Sequence, residues 1–261
     1  MSSYDQALLN GESGPGSALA MRIVVEMAAV MGADRLLDIT SAHIDSCLYH
    51  GQASLDFSRK LAEGGARAKV PSTLNVSSLD LLHPDLYRGD QATANAAAAL
   101  MESYVAMGCT PSWTCAPYQL SNRPVFGDQI AWAESNAIVF ANSVIGARTN
   151  RYGDFLDICC AVTGRAPAAG LHLDDGRLAG LAVHLRGLEP LLDQDWFYPV
   201  LGLQLGYLAG TRVPAIVGLG PAASEDRLKA LGAGAASSGS VALFHAVGVT
   251  PEAPDLATAT G

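Results

Sequence analysis

Charge and aromatic side chains are scarce in this sequence. Of its 261 residues, 16% are charged and 7% are aromatic, whereas 49% are hydrophobic. That composition is too apolar for a disordered chain and is sufficient for a buried core. Basic residues number 16 against 25 acidic ones, which gives a net charge of −9. Phosphate backbones and anionic lipids repel such a chain, so nucleic acid and membrane surfaces are not expected partners.

Several sequence signals are missing as well. No segment reaches the roughly 18 uninterrupted apolar residues of a membrane helix, and the polar residues 1–12 do not resemble a secretory signal. Five cysteines, an odd number, favour reduced thiols over a disulfide framework, and we expect a cytoplasmic protein. Phosphate loops, nucleophile elbows and paired-histidine zinc motifs are also absent.

Helix-like and strand-like segments alternate along the chain. Apolar residues recur every three to four positions from Leu19 to Val30, with Ser17 as the expected N-cap. Further helices are predicted at about 55–63, 93–107, 198–209 and 225–231. Strands are predicted at 36–39, 66–70, 112–115, 181–185, 215–219 and 241–249, whereas 130–141 is ambiguous and the tail after Pro251 is expected to be loose. This alternation predicts an α/β fold with mostly parallel sheets flanked by helices, in one large domain or two closely joined ones.

Parallel sheets bind ligands at the carboxyl ends of their strands. The polar turns 41–49, 72–78, 115–118 and 142–150 are therefore the predicted site. Cys115 is either a metal ligand at a strand end or a small buried residue. Cys109 lies too far from it for a zinc knuckle. The adjacent Cys159 and Cys160 are expected in the core, whereas Cys47 lies in a polar turn.

Three further positions have both a functional and a structural interpretation. Glu134, beside Ser135, is either a general acid or base or a carboxylate that stabilises a helix start. Arg148 and Arg151 either bind a substrate carboxylate or lie in a surface loop. His43 either transfers protons or is hydrogen-bonded within the structure.

Five segments, in this order, resemble the aconitase X family. They are Ser41-Ala42-His43-Ile44, Pro71-Ser72-Thr73-Leu74-Asn75, Thr114-Cys115-Ala116-Pro117-Tyr118, Ala131-Trp132-Ala133-Glu134-Ser135 and the stretch 140–150. Segments 241–245 and 249–252 extend the resemblance over nearly the whole chain.

The resemblance implies that residues 1–261 form an aconitase-like catalytic region of a hydro-lyase. Such an enzyme eliminates water from a small hydroxy acid, with an iron–sulfur cluster as Lewis acid. The cluster ligand that this chain supplies would be Cys115. The catalytic candidates are Glu134, Ser135 and His43, and the substrate-binding candidates are Ser46, Cys47, Leu48, Asn75, Val76, Arg148 and Asn150.

Two departures from the family pattern refine this hypothesis. The phosphomevalonate dehydratases of the family have Gly-Val-Ser where this chain has Ser46-Cys47-Leu48, which favours cis-3-hydroxy-L-proline as the substrate. A phosphomevalonate-type large subunit and a cluster-less α/β binding or scaffold protein are the alternatives. Family members also carry further cysteine ligands beyond the position of Pro251 and need a small swivelling domain or subunit. Because this sequence contains neither, we expect the isolated chain to be inactive and to hold no cluster.

Overall fold

A computed structural model describes residues 1–261, which form nine α-helices and eight strands in two units. Unit 1 comprises residues 1–117, 129–134 and 152–169, and unit 2 comprises 118–128, 135–151 and 170–261. The helices are α1 (Ser3–Leu9), α2 (Pro15–Val30), α3 (Gln52–Glu63), α4 (Gln91–Ala106), α5 (Ser135–Phe140), α6 (Leu156–Thr163), α7 (Phe197–Ala209), α8 (Glu225–Ser238) and α9 (Leu256–Thr260). None of them is long and apolar enough to cross a membrane.

Unit 1 contains a three-stranded parallel sheet and a small antiparallel pair. In the parallel sheet β2 (Ala42–Ile44) lies between β3 (Ser72–Leu74) and β4 (Ala131–Trp132). The antiparallel pair joins β1 (Leu36–Asp38) to β5 (Arg165–Pro167). The core of this unit is built from apolar residues of the sheet and of helices α2, α3, α4 and α6, among them Val24, Ile44, Leu61, Leu74, Leu100, Tyr104 and Ile158.

Unit 2 contains a second three-stranded parallel sheet. Its order is β6 (Leu181–His184), β7 (Pro214–Val217) and β8 (His245–Ala246). Helices α7 and α8 approach each other through glycine, because a Cβ atom on Gly202 would lie 2.1 Å from the Leu231 carbonyl oxygen. Both sheets are parallel and flanked by helices, so the predicted fold class is confirmed.

All five predicted helices are present, but the predicted N-cap of α2 is wrong. The helix begins at Pro15 and is capped by Gly14, whose φ of +92° suits glycine. The Gly16 amide donates to the Gly64 carbonyl oxygen at 2.9 Å, so a contact with another helix end sets the start of α2. Ser17 therefore lies inside the helix and is buried.

Several strand predictions need correction. The strand predicted at 66–70 instead lies at Ser72–Leu74, and 41–43 is not a turn because Ala42 and His43 belong to β2. Residues 112–115 are irregular, following Pro111, which cannot donate to a sheet. Within 241–249 only His245–Ala246 is a strand. The ambiguous segment 130–141 contains β4, then α5, and leads into a π-helical turn at Ala141–Ile145.

The tail after Pro251 is ordered, contrary to the prediction. Helix α9 is capped by Asp255, whose carboxylate accepts from the Thr258 amide at 2.7 Å. Ala259 is buried and packs with Ala215 of β7 and with Ala253. An alanine-rich tail thus forms a helix because it has a cap and a small-residue contact with the sheet.

Candidate active site

The candidate site lies at the carboxyl edge of the parallel sheet in unit 1. Asp45 follows β2, Asn75 follows β3, and Glu134 lies two residues beyond β4. Since the three strands are parallel, their carboxyl ends meet at one edge. Two of the predicted polar turns, 41–49 and 72–78, therefore do contribute residues to a shared edge.

The turn after β2 is held by a buried carboxylate on α6. Asp157 Oδ2 accepts from the backbone amides of Asp45 at 2.8 Å and Ser46 at 3.0 Å, and its Oδ1 accepts from Ser46 Oγ at 2.8 Å. The hydroxyl of Tyr104 on α4 donates to the same Ser46 oxygen at 2.9 Å. The Ser46 side chain is thus buried and committed to the protein interior.

The turns after β2 and β3 are joined to each other. Asn75 Nδ2 donates to Asp45 Oδ1, and Ser77 Oγ donates to the Cys47 carbonyl oxygen at 3.3 Å. Cys47 is fully buried, and its thiol contacts the carbonyl oxygens of Ile44 and Asn75. Burial raises the pKa of Cys47, which keeps this thiol protonated. Of the predicted substrate-binding residues in these turns, Leu48 and Val76 are partly exposed.

Cys115 reaches the same edge through an irregular segment that follows α4 and runs beside β3. The Thr114 amide donates to the Leu74 carbonyl oxygen at 3.3 Å, and Ser112 Oγ donates to that oxygen at 2.8 Å. Cys115 is exposed. Its pKa is raised by partial burial and by the negative charges of Glu134 and Asp45. Cys115, Glu134 and Asp45 therefore lie close enough to act on one another electrostatically.

Backbone strain coincides with this edge. Only three non-glycine residues have positive φ, and two of them are Trp113 at +44° and Glu134 at +69°. Such conformations are costly for residues with a Cβ atom and collect at functional sites. Glu134 therefore does not start a helix in the ordinary way; it occupies a strained connection between β4 and α5.

His43 lies beneath the edge. Its ring is fully buried, its Nδ1 is 2.7 Å from Thr73 Oγ1, and it packs near the ring of Trp132. Burial lowers the pKa of His43 to about 3, while an interaction with the Thr114 backbone opposes that shift. The imidazole is therefore neutral at physiological pH and links β2 to β3. Its catalytic role stays a prediction, and the geometry favours a positioning role.

The other predicted site residues belong to unit 2. Ser135 Oγ accepts from Arg151 at 3.1 Å, and Asn150 Oδ1 accepts from the Leu171 amide at 2.8 Å. Arg148 forms an ion pair with Asp174 at 2.5 Å and lies 3.7 Å from a Glu252 oxygen, in a cavity of about 330 Å³. A substrate carboxylate would have to compete with these acidic partners for Arg148.

Comparison with known proteins identifies the family. The model of the aconitase X first domain matches residues 1–175, and that of the aconitase X second domain matches residues 181–261. The chain belongs to the aconitase X family. The crystal structure of Thermococcus kodakaraensis aconitase X in its holo-form superposes with a TM-score of 0.88 at 37% identity, covering 98% of this chain and 64% of that one.

The curated aconitase X relatives are dehydratases. The chain is 52% identical to the cis-3-hydroxy-L-proline dehydratase of Pseudomonas aeruginosa over its full length, and 47% identical to that of Hypocrea jecorina. It is 39% identical to the phosphomevalonate dehydratase large subunit of Thermococcus kodakarensis over 95% of its length. The chain spans only 45% and 44% of the two hydroxyproline enzymes and 61% of the large subunit.

The cysteines of this chain do not by themselves fit an iron–sulfur cluster. Clusters are usually held by three or four thiolates, but four of the five cysteines are buried: Cys47, Cys109, Cys159 and Cys160. Burial raises the pKa of each of these thiols, to about 12 for Cys109. Cys115 alone is accessible, and no three histidine, cysteine or acidic side chains come together as a metal site.

Sequence analysis did not identify two residues that shape this edge, Asp45 and Asp157. Asp45 immediately precedes the Ser46-Cys47-Leu48 turn, and Asp157 is the only charged residue in helix α6. A lone carboxylate in an otherwise apolar, fully buried helix is a usable signal, because such a group needs hydrogen-bond donors. What cannot be read from the sequence is that those donors lie 111 and 112 positions away.

Proposed function

We propose that this chain forms part of a hydro-lyase that dehydrates cis-3-hydroxy-L-proline or a closely similar small 3-hydroxy amino acid. The observation that carries the proposal is 52% identity, over the entire chain, to a dehydratase of that name. We further propose a cytoplasmic enzyme whose activity requires the remaining parts of the family's catalytic apparatus, including a small swivelling domain or subunit.

The charge of the edge supports an amino-acid substrate. Asp45 and Glu134 both lie near Cys115 and raise its pKa, so their negative charges act on the same small region. A cationic secondary ammonium, as in hydroxyproline, is attracted to such a region, whereas a phosphorylated substrate is repelled. The partly exposed side chains of Leu48 and Val76 offer an apolar flank to a small ring.

In this proposal each residue has a limited task. Glu134, held in a strained conformation beside Cys115, accepts or donates a proton or binds the substrate ammonium. Asn75 and the backbone of residues 45–48 orient the substrate, and Cys115 contributes the one cluster ligand of this chain. The cluster would supply Lewis acidity toward the substrate hydroxyl, with its other ligands coming from outside residues 1–261.

The test is turnover by the complete enzyme assembly, purified anaerobically and analysed for iron and sulfide. Cis-3-hydroxy-L-proline and phosphomevalonate are supplied separately, and the dehydrated products are measured by mass spectrometry. We expect turnover of hydroxyproline with at most slow turnover of phosphomevalonate. Efficient dehydration of phosphomevalonate alone would assign the chain to the large-subunit type instead. An iron-free assembly without activity on either compound would favour a binding or scaffold protein.

A further inference from the structure

The hydrogen bonds around the buried side chain of Asp157 indicate that it is an ionised carboxylate. All four groups that contact its oxygens are donors: the amides of Asp45, Ser46 and Ile158, and the Ser46 hydroxyl. The Ser46 hydroxyl has its proton available for Asp157 because its oxygen accepts from Tyr104 at 2.9 Å. Only an acceptor-only group satisfies four donors at once, and an ionised carboxylate is such a group.

The surroundings of Asp157 offset part of the cost of burying its charge, without a cationic partner. It lies in the first turn of α6, where the helix dipole favours a negative charge. No lysine or arginine pairs with it, so the N–H and O–H donors satisfy the carboxylate. Three of those four donors belong to the turn after β2, which means that this buried charge is directed at the turn.

The turn after β2 also contacts Asn75 at the end of the neighbouring strand, β3. The backbone of Asp45 is held by Asp157, while the Asp45 side chain accepts from Asn75 Nδ2. The Cys47 thiol also contacts the Asn75 carbonyl oxygen at 3.3 Å. A shift of the turn would therefore move Asp45 and Asn75 together and change the whole acidic edge.

We propose that Asp157 is a positioning residue that fixes residues 45–48 and, through Asp45, the side chain of Asn75, and thereby sets substrate binding at this edge. The consequence for activity rests on the proposed dehydratase function. The effect on the turn does not, because it follows from the contacts within unit 1 alone. Displacing a substrate-contacting group by about 1 Å can lower the rate of an enzyme by about 10²-fold.

The decisive variant is Asp157→Asn, which keeps the shape but places an amide donor against the turn donors. Asp5→Asn is the matched control, because Asp5 is likewise a buried carboxylate of unit 1, paired with Arg165 at 2.7 Å and outside the edge. Tyr104→Phe is a milder variant that removes only the hydrogen bond to Ser46 Oγ. It keeps the test decisive if Asp157→Asn does not fold.

The first readout is amide hydrogen exchange of the 261-residue chain. We expect protection of the Asp45 and Ser46 amides to fall at least 100-fold in Asp157→Asn and about 10-fold in Tyr104→Phe, with no change in Asp5→Asn. Unchanged protection of these amides in a folded Asp157→Asn, or in Tyr104→Phe where the first variant does not fold, would overturn the proposal.

The second readout is the kinetics of the complete assembly with cis-3-hydroxy-L-proline. For Asp157→Asn we expect kcat/KM to fall about 10²-fold, with KM rising more than kcat falls. We expect Asp5→Asn to keep wild-type kinetic values even where its thermal midpoint is similar to that of Asp157→Asn. Equal kinetics in the two variants would contradict a positioning role. If the wild-type assembly dehydrates nothing, the proposed function fails, and the exchange measurement still decides whether Asp157 fixes the turn.

Discussion

The buried ion pair between Arg177 and Glu252 in unit 2 allows a quantitative test of the structure. Arg177 is 3% exposed, and its Nε and Nη2 donate to the Glu252 carboxylate at 2.6–2.9 Å. Its remaining N–H groups donate to the side chain of Asn142 and to the carbonyl oxygens of Asn142, Ala147 and Leu171. Burial lowers the pKa of Arg177, and Glu252 opposes that shift. The charge is therefore tolerated because Glu252 is present.

The substitution Glu252→Gln removes the compensating charge and leaves the shape almost unchanged. Breaking a buried ion pair on one side costs about 3–5 kcal/mol, because the other charge stays buried without compensation. Gln retains one acceptor oxygen, so we expect a loss near the lower end, about 3 kcal/mol of the free energy of unfolding. The positive charge of Arg148, 3.7 Å from a Glu252 oxygen, adds to the penalty.

The same unit contains a matched control. Arg123 and Glu225 form a two-point ion pair at 2.8 and 3.1 Å, but their side chains are 37% and 59% exposed. An exposed pair of this kind contributes about 1 kcal/mol or less. The variant Glu225→Gln should therefore lose at most that amount, and salt should abolish the difference from wild type.

Urea denaturation of the 261-residue chain measures both losses, and amide hydrogen exchange at β7 assigns them to unit 2. We expect the Glu252→Gln loss to persist in 1 M salt. If Glu252→Gln costs no more than Glu225→Gln, or if salt removes its effect, the Arg177 charge is not buried as described and the reasoning fails.

Four further outcomes are expected. A small alkylating reagent should label Cys115 alone in the native chain, slowly at neutral pH because its pKa is raised, and mass spectrometry should find the other thiols unmodified. Gly202→Ala should lower the free energy of unfolding by about 1–3 kcal/mol, since its Cβ would meet backbone at 2.1 Å, whereas Gly153→Ala, in open space, should be nearly neutral. Glu134→Gly should raise stability by about 1 kcal/mol in urea denaturation by relieving its positive φ while abolishing turnover by the assembly. Burial raises the pKa of Asp157 to about 6, so the native state binds a proton that the unfolded chain releases between about pH 4 and 6. Stability should therefore fall by about 3 kcal/mol as pH rises through that window, and Asp157→Asn should remove this fall.

The sequence predicts the fold class well because periodicity and composition are local properties. Helices with a one-sided apolar pattern, such as α3, are found within a few residues of their predicted starts. Strands of two or three residues are not recoverable in this way, since β4 and β8 are each only two residues long. Their existence depends on partners elsewhere in the chain, as with β2, which pairs with strands 30 and about 90 positions away.

The candidate site is predictable only in part, for a related reason. Asn75, Glu134 and Cys115 are conspicuous because they follow apolar segments, and the structure places them at one edge of unit 1. The sequence does not reveal that the Ser46 hydroxyl and the Cys47 thiol point inward, because their partners come from α4, α6 and the turn after β3. A motif that matches a substrate-contacting turn therefore identifies the turn without saying which of its atoms are available.

Several features that reduce the stability of unit 1 lie at or beside the carboxyl edge of its parallel sheet, as is typical of functional sites. Positive φ at Trp113 and Glu134, like charges around Cys115 and an ionised carboxylate buried at Asp157 each reduce the stability of the folded state. The third positive φ, at Phe155, belongs to the N-cap of α6, and the buried Asp5 of the same unit is paired with Arg165. These features lie at or beside one edge of the sheet, where Asp157 holds the turn after β2 and the charges of Glu134 and Asp45 act on Cys115, and this is the physical reason to expect substrate there.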